Sequence, residues 1–297
     1  MLLAFPDSLA QARAVGERLG REVAAVAVHR FPDGESRLRL PPRLPERVAI
    51  VRSLDDPNGK LVELLLAAET ARTLGARDLV LVAPYLCYLR QDMAFVPGEA
   101  VSQQVIGRFL AGLFDAVVTV DPHLHRVHAL AEAVPARRAI ALSAAPAMGA
   151  FLAGRKDRPL LLAPDREAEQ WVARVAAGAG LEHGVADKLR RGDRRVEVSL
   201  PDRDYAGAQV VLVDDVASTG HTLAEATRAL RGAGAYRVDV LVTHALLVDD
   251  ARTLLADAGV TELWSSDSIP DASNAFPLAD LLADALREDD AAAGRCT

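Results

Sequence analysis

Two adjacent carboxylates, Asp214 and Asp215, close the apolar run Val210-Val211-Leu212-Val213, and Val216-Ala217-Ser218-Thr219-Gly220-His221-Thr222 follows them. A buried strand ending in paired acids presents them together at one edge of a sheet. There they can accept hydrogen bonds from sugar hydroxyls or hold Mg²⁺ through waters. The small-residue loop behind them carries three hydroxyls and runs into a helical pattern, so its backbone N–H groups suit a phosphate. The plainer reading is a strand end with a Ser/Thr helix cap. A cap needs neither the paired acids nor the glycine.

Other segments carry side chains of the same kind. In Phe31-Pro32-Asp33-Gly34-Glu35, Phe31 can stack on a purine, while Asp33 and Glu35 can accept from an exocyclic amine. Pro-Asp-Gly is also a strong turn signal. Arg90, in Tyr88-Leu89-Arg90-Gln91-Asp92, offers a planar fork for phosphate oxygens. His123, His125 and His128 follow Asp121, where neutral imidazoles suit zinc. Pro164-Asp165 places a further acid after an apolar run. Lys188 and Arg190 lie in the basic stretch Asp187–Arg195. In an extended loop, positions i and i+2 face the same way. Phosphoryl transfer needs cations where charge builds up between nucleophile and leaving group. A solvated charged loop is the bland alternative.

Strands must position these groups. Runs at 48–51, 79–82, 117–120, 160–162, 210–213 and 238–242 are short, apolar and β-branched, as in strands buried on both faces. Helical patterns lie between them. Leu61, Leu64, Leu65 and Ala68 form one apolar stripe, and Thr222–Arg231 runs helically into Gly232-Ala233-Gly234. Residues 48–83 and 210–243 echo each other as strand, loop, helix and strand. The alternation predicts an α/β fold with two related domains, each a mainly parallel sheet flanked by helices. The break is expected near 134–138.

Composition excludes several classes. Of the 297 residues, 51% are hydrophobic and 25% charged, enough apolar surface to offset chain entropy. The net charge of −7 argues against nucleic-acid or acidic-membrane binding. No apolar run approaches a membrane span, and Met1–Asp7 lacks the basic region of a secretory leader. Cys87 and Cys296 make no disulfide framework and read as free thiols. A cytoplasmic location is expected.

The 210–222 stretch resembles the phosphoribosyl-pyrophosphate loop of the type I phosphoribosyltransferase fold. The rest of the chain narrows this to the ribose-phosphate pyrophosphokinase family. Phe31–Glu35 resembles the segment that reaches the adenine of ATP in a neighbouring subunit, and Tyr88–Asp92 resembles a second ATP segment. Asp121-Pro122-His123 is similar to a strand-end Asp-x-His whose histidine binds nucleotide and metal. Pro164-Asp165 resembles a Mg²⁺-binding pair, and Lys188-Leu189-Arg190 the Lys-x-Arg of a mobile catalytic loop. Ser266-Asp267-Ser268-Ile269-Pro270 resembles the closing motif. Six short motifs run in family order beside the sugar-phosphate loop.

The resemblance implies transfer of a diphosphoryl group from Mg-ATP to ribose 5-phosphate. Lys188, Arg190 and His123 would be catalytic. Asp214, Asp215, Ser218, Thr219, Gly220, His221 and Thr222 would hold ribose 5-phosphate. Phe31, Asp33, Glu35, Arg90, Gln91, Asp92 and His123 would hold ATP, and His123 and Asp165 the Mg²⁺ ion. It also implies self-association, with the ATP site shared between subunits. The expected domains are 1–136, with the ATP motifs, and 137–273, with the ribose loop and catalytic loop. A helix at 274–288 packs on the first domain, and 289–297 is a tail. Ser218, His221, the stretch 93–98 and Arg166-Glu167 depart from the common pattern. A phosphoribosyltransferase that consumes phosphoribosyl pyrophosphate, and a catalytically silent regulatory homologue, remain as alternatives.

Overall fold

Each apolar run becomes a parallel strand with helices on its flanks, as its length and bounding residues require. The computed structural model describes residues 1–124, 126–191 and 195–293, with backbone only at 188–191 and 195–197. The chain divides into two units, Met1–Leu142 with Leu278–Thr297, and Ser143–Pro277.

In the first unit the elements run β1 (Leu2–Ala4), α1 (Leu9–Leu19), β2 (Val23–Ala25), β3 (Ala27–Arg30), β4 (Ser36–Arg39), β5 (Arg47–Val51), α2 (Pro57–Thr73) and β6 (Asp78–Val82). They continue with α3 (Ser102–Leu113), β7 (Ala116–Val120), α4 (Leu130–Ala133) and β8 (Arg138–Leu142). The parallel sheet has the order β2-β1-β5-β6-β7-β8, while β3 and β4 form a separate antiparallel hairpin.

The second unit runs α5 (Ala145–Ala153), β9 (Leu160–Ala163), α6 (Glu169–Ala179), β10 (His183–Val185), β11 (Asp187–Arg191), β12 (Arg195–Ser199), β13 (Gln209–Ala217) and α7 (His221–Gly232). It continues with β14 (Arg237–Ala245), α8 (Ala251–Ala258), β15 (Leu263–Ser266) and β16 (Asn274–Phe276). Its sheet has the order β10-β9-β13-β14-β15-β16, and β11 and β12 form their own hairpin. The two units therefore share one strand order, with a hairpin inserted after the second strand of each. The internal echo in the sequence covers only the middle of this shared plan.

Burial follows the sequence pattern with one correction. Leu61, Leu64 and Ala68 of α2 are buried, but Leu65 is 37% exposed. Ala67 and Ala71 complete the buried face instead. The buried face thus runs through Leu61, Leu64, Ala67, Ala68 and Ala71, and Leu65 lies at its edge.

The boundaries also differ from expectation. Arg138–Leu142 pairs with β7, so 137–142 belong to the first unit rather than the second. The stretch Ala139-Ile140-Ala141-Leu142 supplies one more sheet edge, which the polar 134–138 segment hides. Residues 274–276 are a strand of the second unit, and the helix α9 (Ala279–Ala293) belongs to the first. The tail does not begin at 289: the Asp289 side chain is only 1% exposed. Arg47 and Arg138 both pair with it, which neutralises a carboxylate that would otherwise hold the chain end in water. No helix among the described residues is long and apolar enough to cross a membrane.

Candidate active site

In parallel α/β sheets, ligand loops gather at the carboxyl ends of the strands. Every expected site residue lies at such an end, or on a hairpin that leaves one.

In the second unit, β13 continues past Val213 to Ala217, so Asp214 and Asp215 sit within its last turns of pleat. Asp215 is buried. The Asp214 carboxylate accepts the Asp215 backbone N–H at 2.9 Å. Burial, the Asp215 carboxylate and the Asp165 carboxylate together push the Asp214 carboxyl well above the usual range. Three acids from two neighbouring strands thus converge. Asp165 follows β9, and its Oδ1 accepts backbone N–H groups of Glu167 at 3.0 Å and Ala168 at 3.4 Å.

The loop after β13 is held from α8's side: the Leu247 and Val248 N–H groups donate to the Ala217 and Ser218 carbonyls at 2.9 and 3.2 Å. Gly220 caps α7 with φ of 75°, the left-handed region that favours glycine. A Cβ there would lie 3.3 Å from Leu255 Cγ. His221, which departs from the common pattern, is the exposed first residue of α7. The backbone demand for glycine falls on Gly220, so a side chain at 221 is accommodated. Thr219 is exposed, and Ser218 and Thr222 are half-buried beside it.

Lys188 and Arg190 lie on β11, opposite Val198 and Val196 of β12. Their side chains, and Arg194, lie outside the described residues. The base of the hairpin is fixed at Asp187. Arg166 donates to it from Nε at 2.5 Å and from Nη2 at 3.3 Å. That hydrogen bond holds the Asp187 carboxyl below its ordinary range. Sequence reasoning noted Arg166 as a departure and missed its partner, 21 residues away.

In the first unit, the β3–β4 turn exposes Phe31, Asp33 and Glu35 together. Asp33 Oδ1 accepts the Glu35 N–H at 3.1 Å, and the His29 ring meets Phe31 edge-on at 4.7 Å between centroids. Arg90, Gln91 and Asp92 follow β6, and Asp121-Pro122-His123 follows the adjacent β7. Tyr88 (φ 59°) and Asp121 (φ 36°) are both left-handed non-glycine residues, a strain that concentrates at ligand sites. Gln103 and Ser102 of α3 fix the first loop, donating to the Leu89 carbonyl at 3.2 Å and Gln91 Oε1 at 3.4 Å.

Arg126, which sequence reasoning missed, donates to Asp92 Oδ1 at 2.5 Å and ties the two loops together. The signal was available as a cation placed just after a strand-end histidine. His125 lies outside the described residues. Among those residues, no group of three or more side chains forms a metal cluster.

Residues 1–113 match the model for the N-terminal domain of ribose phosphate pyrophosphokinase, and 140–286 match the phosphoribosyl transferase domain. The ribose-phosphate pyrophosphokinase of Methanopyrus kandleri is 36% identical over 289 residues, spanning 96% of this chain and 98% of its own. That of Methanosarcina acetivorans is 33% identical over 290 residues, spanning 96% and 99%. This chain belongs to the ribose-phosphate pyrophosphokinase family. The fold agrees: phosphoribosylpyrophosphate synthetase from Mycobacterium smegmatis superposes with a TM-score of 0.80 over 97% of each chain, at 23% identity.

Membership in the pyrophosphokinase family accounts for the order of the motifs from Phe31 to Pro270. In the last of them two hydroxyls brace the sheet. The Ser266 and Ser268 hydroxyls donate to the Thr243 carbonyl at 2.6 and 2.9 Å, and both serines are fully buried. This closing segment holds β15 against β14. The departure at 93–98 is a local turn, in which Glu99 Oε2 accepts the Phe95 and Val96 N–H groups at 2.7 and 3.2 Å.

Proposed function

We propose that this chain is a ribose-phosphate pyrophosphokinase. The C1 hydroxyl of ribose 5-phosphate attacks the β-phosphorus of ATP, the bond from that phosphorus to the α-phosphate oxygen breaks, and AMP leaves. The hydroxyl proton passes to solvent, giving phosphoribosyl pyrophosphate. The observation that carries this reading is the convergence of Asp165, Asp214 and Asp215 beside the helix start at Gly220, in a chain of this family. Acids there orient ribose hydroxyls, and the N–H groups of Ser218–Thr222 cradle the 5-phosphate. A pentose phosphate needs both halves of that arrangement.

The donor set also fits magnesium. Asp214, Asp215 and Asp165 gather negative charge that a hard divalent cation offsets, and such an ion keeps waters and substrate phosphates rather than a full protein cage. Asp165 would hold it in this unit, and it would supply charge neutralisation on the triphosphate; in the first unit His123 stands at the end of β7 as the metal- and nucleotide-binding histidine of the proposal. Arg90, Gln91 and Asp92 take the nucleotide. Lys188 and Arg190 stabilise charge on the transferring group. The protein's part is alignment and charge, not covalent chemistry.

The Phe31–Glu35 turn leaves the sheet at β2, three strands and thus about 14 Å across the sheet from β6, the strand that leads into the Arg90 loop. That spacing supports a turn serving the nucleotide of a neighbouring copy, and hence a self-associated enzyme. An assay with ATP and ribose 5-phosphate, following AMP, tests the function. AMP formation that is lost in both Lys188→Ala and Asp214→Ala supports it. Base-dependent pyrophosphate release from phosphoribosyl pyrophosphate without AMP would instead indicate a phosphoribosyltransferase. Binding without turnover would indicate a regulatory homologue.

A further inference from the structure

Glu63 is a buried carboxylate on α2 that the sequence does not single out. Its side chain is 2% exposed, yet three donors reach it. Arg52 Nη2 lies 2.6 Å from Oε2, while Arg30 Nε and Ser36 Oγ lie 3.1 and 2.9 Å from Oε1. Arg30 ends β3 and Ser36 begins β4, so these two residues flank the Phe31–Glu35 turn. Burial alone would raise the Glu63 carboxyl. Hydrogen bonds from Arg52, Arg30 and Ser36 outweigh it and hold the group below its ordinary range, as a full carboxylate.

The hairpin needs such an anchor. It forms a two-stranded sheet of its own, and an isolated hairpin is marginal in water. Val28 and Leu38 seat one face on the core. Among the described residues, Glu63 joins the two arms where they enter the turn.

The backbone register shows where this anchor stands. Ile50 pairs with Leu3 as Leu212 pairs with Leu162. Counting on from them, Arg52 occupies the strand position of Asp214. The Arg52 guanidinium is 2% exposed, lies 3.8 Å from the Phe5 ring centroid and reaches Asp7 at 3.3 Å. The strand end that carries acids in the second unit is filled in the first by a sealed cation, and that cation holds Glu63.

We infer that Glu63 is a positioning residue for the nucleotide: by gripping Arg30 and Ser36 it sets the angle at which Phe31, Asp33 and Glu35 meet the adenine. This rests on the proposed nucleotide role of that turn.

The test compares an Arg30→Gln/Ser36→Ala double variant with Phe31→Ala, both full-length. It measures KM for ATP, KM for ribose 5-phosphate, kcat, melting midpoint and backbone hydrogen exchange over 27–39. The double variant removes the hairpin donors and leaves the buried Arg52–Glu63 pair in place. Phe31→Ala raises KM for ATP about tenfold, the scale of one lost base–aromatic stack. The double variant raises it about three- to fivefold, the scale of one net hydrogen bond, because the lost bonds act on the turn and not on the nucleotide itself. Its KM for ribose 5-phosphate and its kcat hold within about twofold, a split that marks lost nucleotide positioning. Its melting midpoint stays within about 2 °C, while exchange at the turn quickens. A rise in Phe31→Ala without one in the double variant overturns the anchoring and leaves the nucleotide reading intact. No rise in either removes that reading, and the inference with it. A parallel rise in both KM values with a fall in midpoint marks a purely structural loss and overturns the inference too.

Discussion

Arg166 grips Asp187 through two hydrogen bonds, which joins the loop carrying Asp165 to the first residue of the hairpin carrying Lys188. Both partners are largely exposed, so their worth lies in geometry rather than stability. Arg166→Ala and Asp187→Asn are each expected to lower kcat a few-fold with an unchanged melting midpoint. The double variant is expected to be no worse than either single, as for a coupled pair. Steady-state kinetics on the four proteins checks this; additive losses would show that the two residues act separately.

Asp214 sets a trade between stability and function. Its folded-state pKa is raised, chiefly by burial and then by Asp215 and Asp165. A carboxyl of this kind favours the folded state below its unfolded pKa of about 3.9, and that favour is lost as pH rises through the folded value. Asp214→Asn escapes the loss. The variant is expected to melt above the parent at neutral pH, by on the order of a few degrees, with the gap closing toward pH 4 or below. Its AMP-forming activity is expected to vanish. Thermal melts across a pH series decide the matter, and a gap that widens on acidification would reverse the sign argued here.

Gly220 is a strained position in the loop that follows β13. Gly220→Ala places a Cβ at a φ of 75° and against Leu255. The backbone penalty alone is about 1–2 kcal/mol. Denaturant unfolding should show a loss of that size, and KM for ribose 5-phosphate should rise with it. An unaltered KM would detach the loop from the substrate.

Asp289 holds the last helix to the first unit. Its carboxylate takes Arg138 Nε at 2.5 Å and Nη2 at 3.3 Å, and pairs with Arg47 as well. Removing it leaves two cations short of an anion. Both retain Asp78 and touch solvent, so Asp289→Ala is expected to cost about 2 kcal/mol, below the full penalty for a broken buried pair. Urea titration reads this directly. An effect within error would mean that the C-terminal helix docks through its apolar face alone.

Much of the fold was legible because its strands are continuous apolar runs of the right length, and the acids that follow them stand out against that background. Asp165, Asp214 and Asp215 could be picked individually. Their convergence could not, since 49 residues separate Asp165 from Asp214 and only the strand order brings them together. Glu63 was hidden for the same reason: its hairpin donors lie 33 and 27 residues away. Leu65 was misjudged because helical periodicity marks a face without saying where its edge falls. The end at 289 was misread because two aspartates look solvated until Arg47 and Arg138 are found beside them.

The common strand order of the two units is the pattern that doubling and fusion of one half would leave. A chain doubled in this way would at first have carried the same edge twice. By placing Arg52 at the position of Asp214, the chain keeps the paired acids at one edge alone, and under the proposed function that edge alone would grip a pentose. Damage to the surviving edge therefore has no backup within the chain.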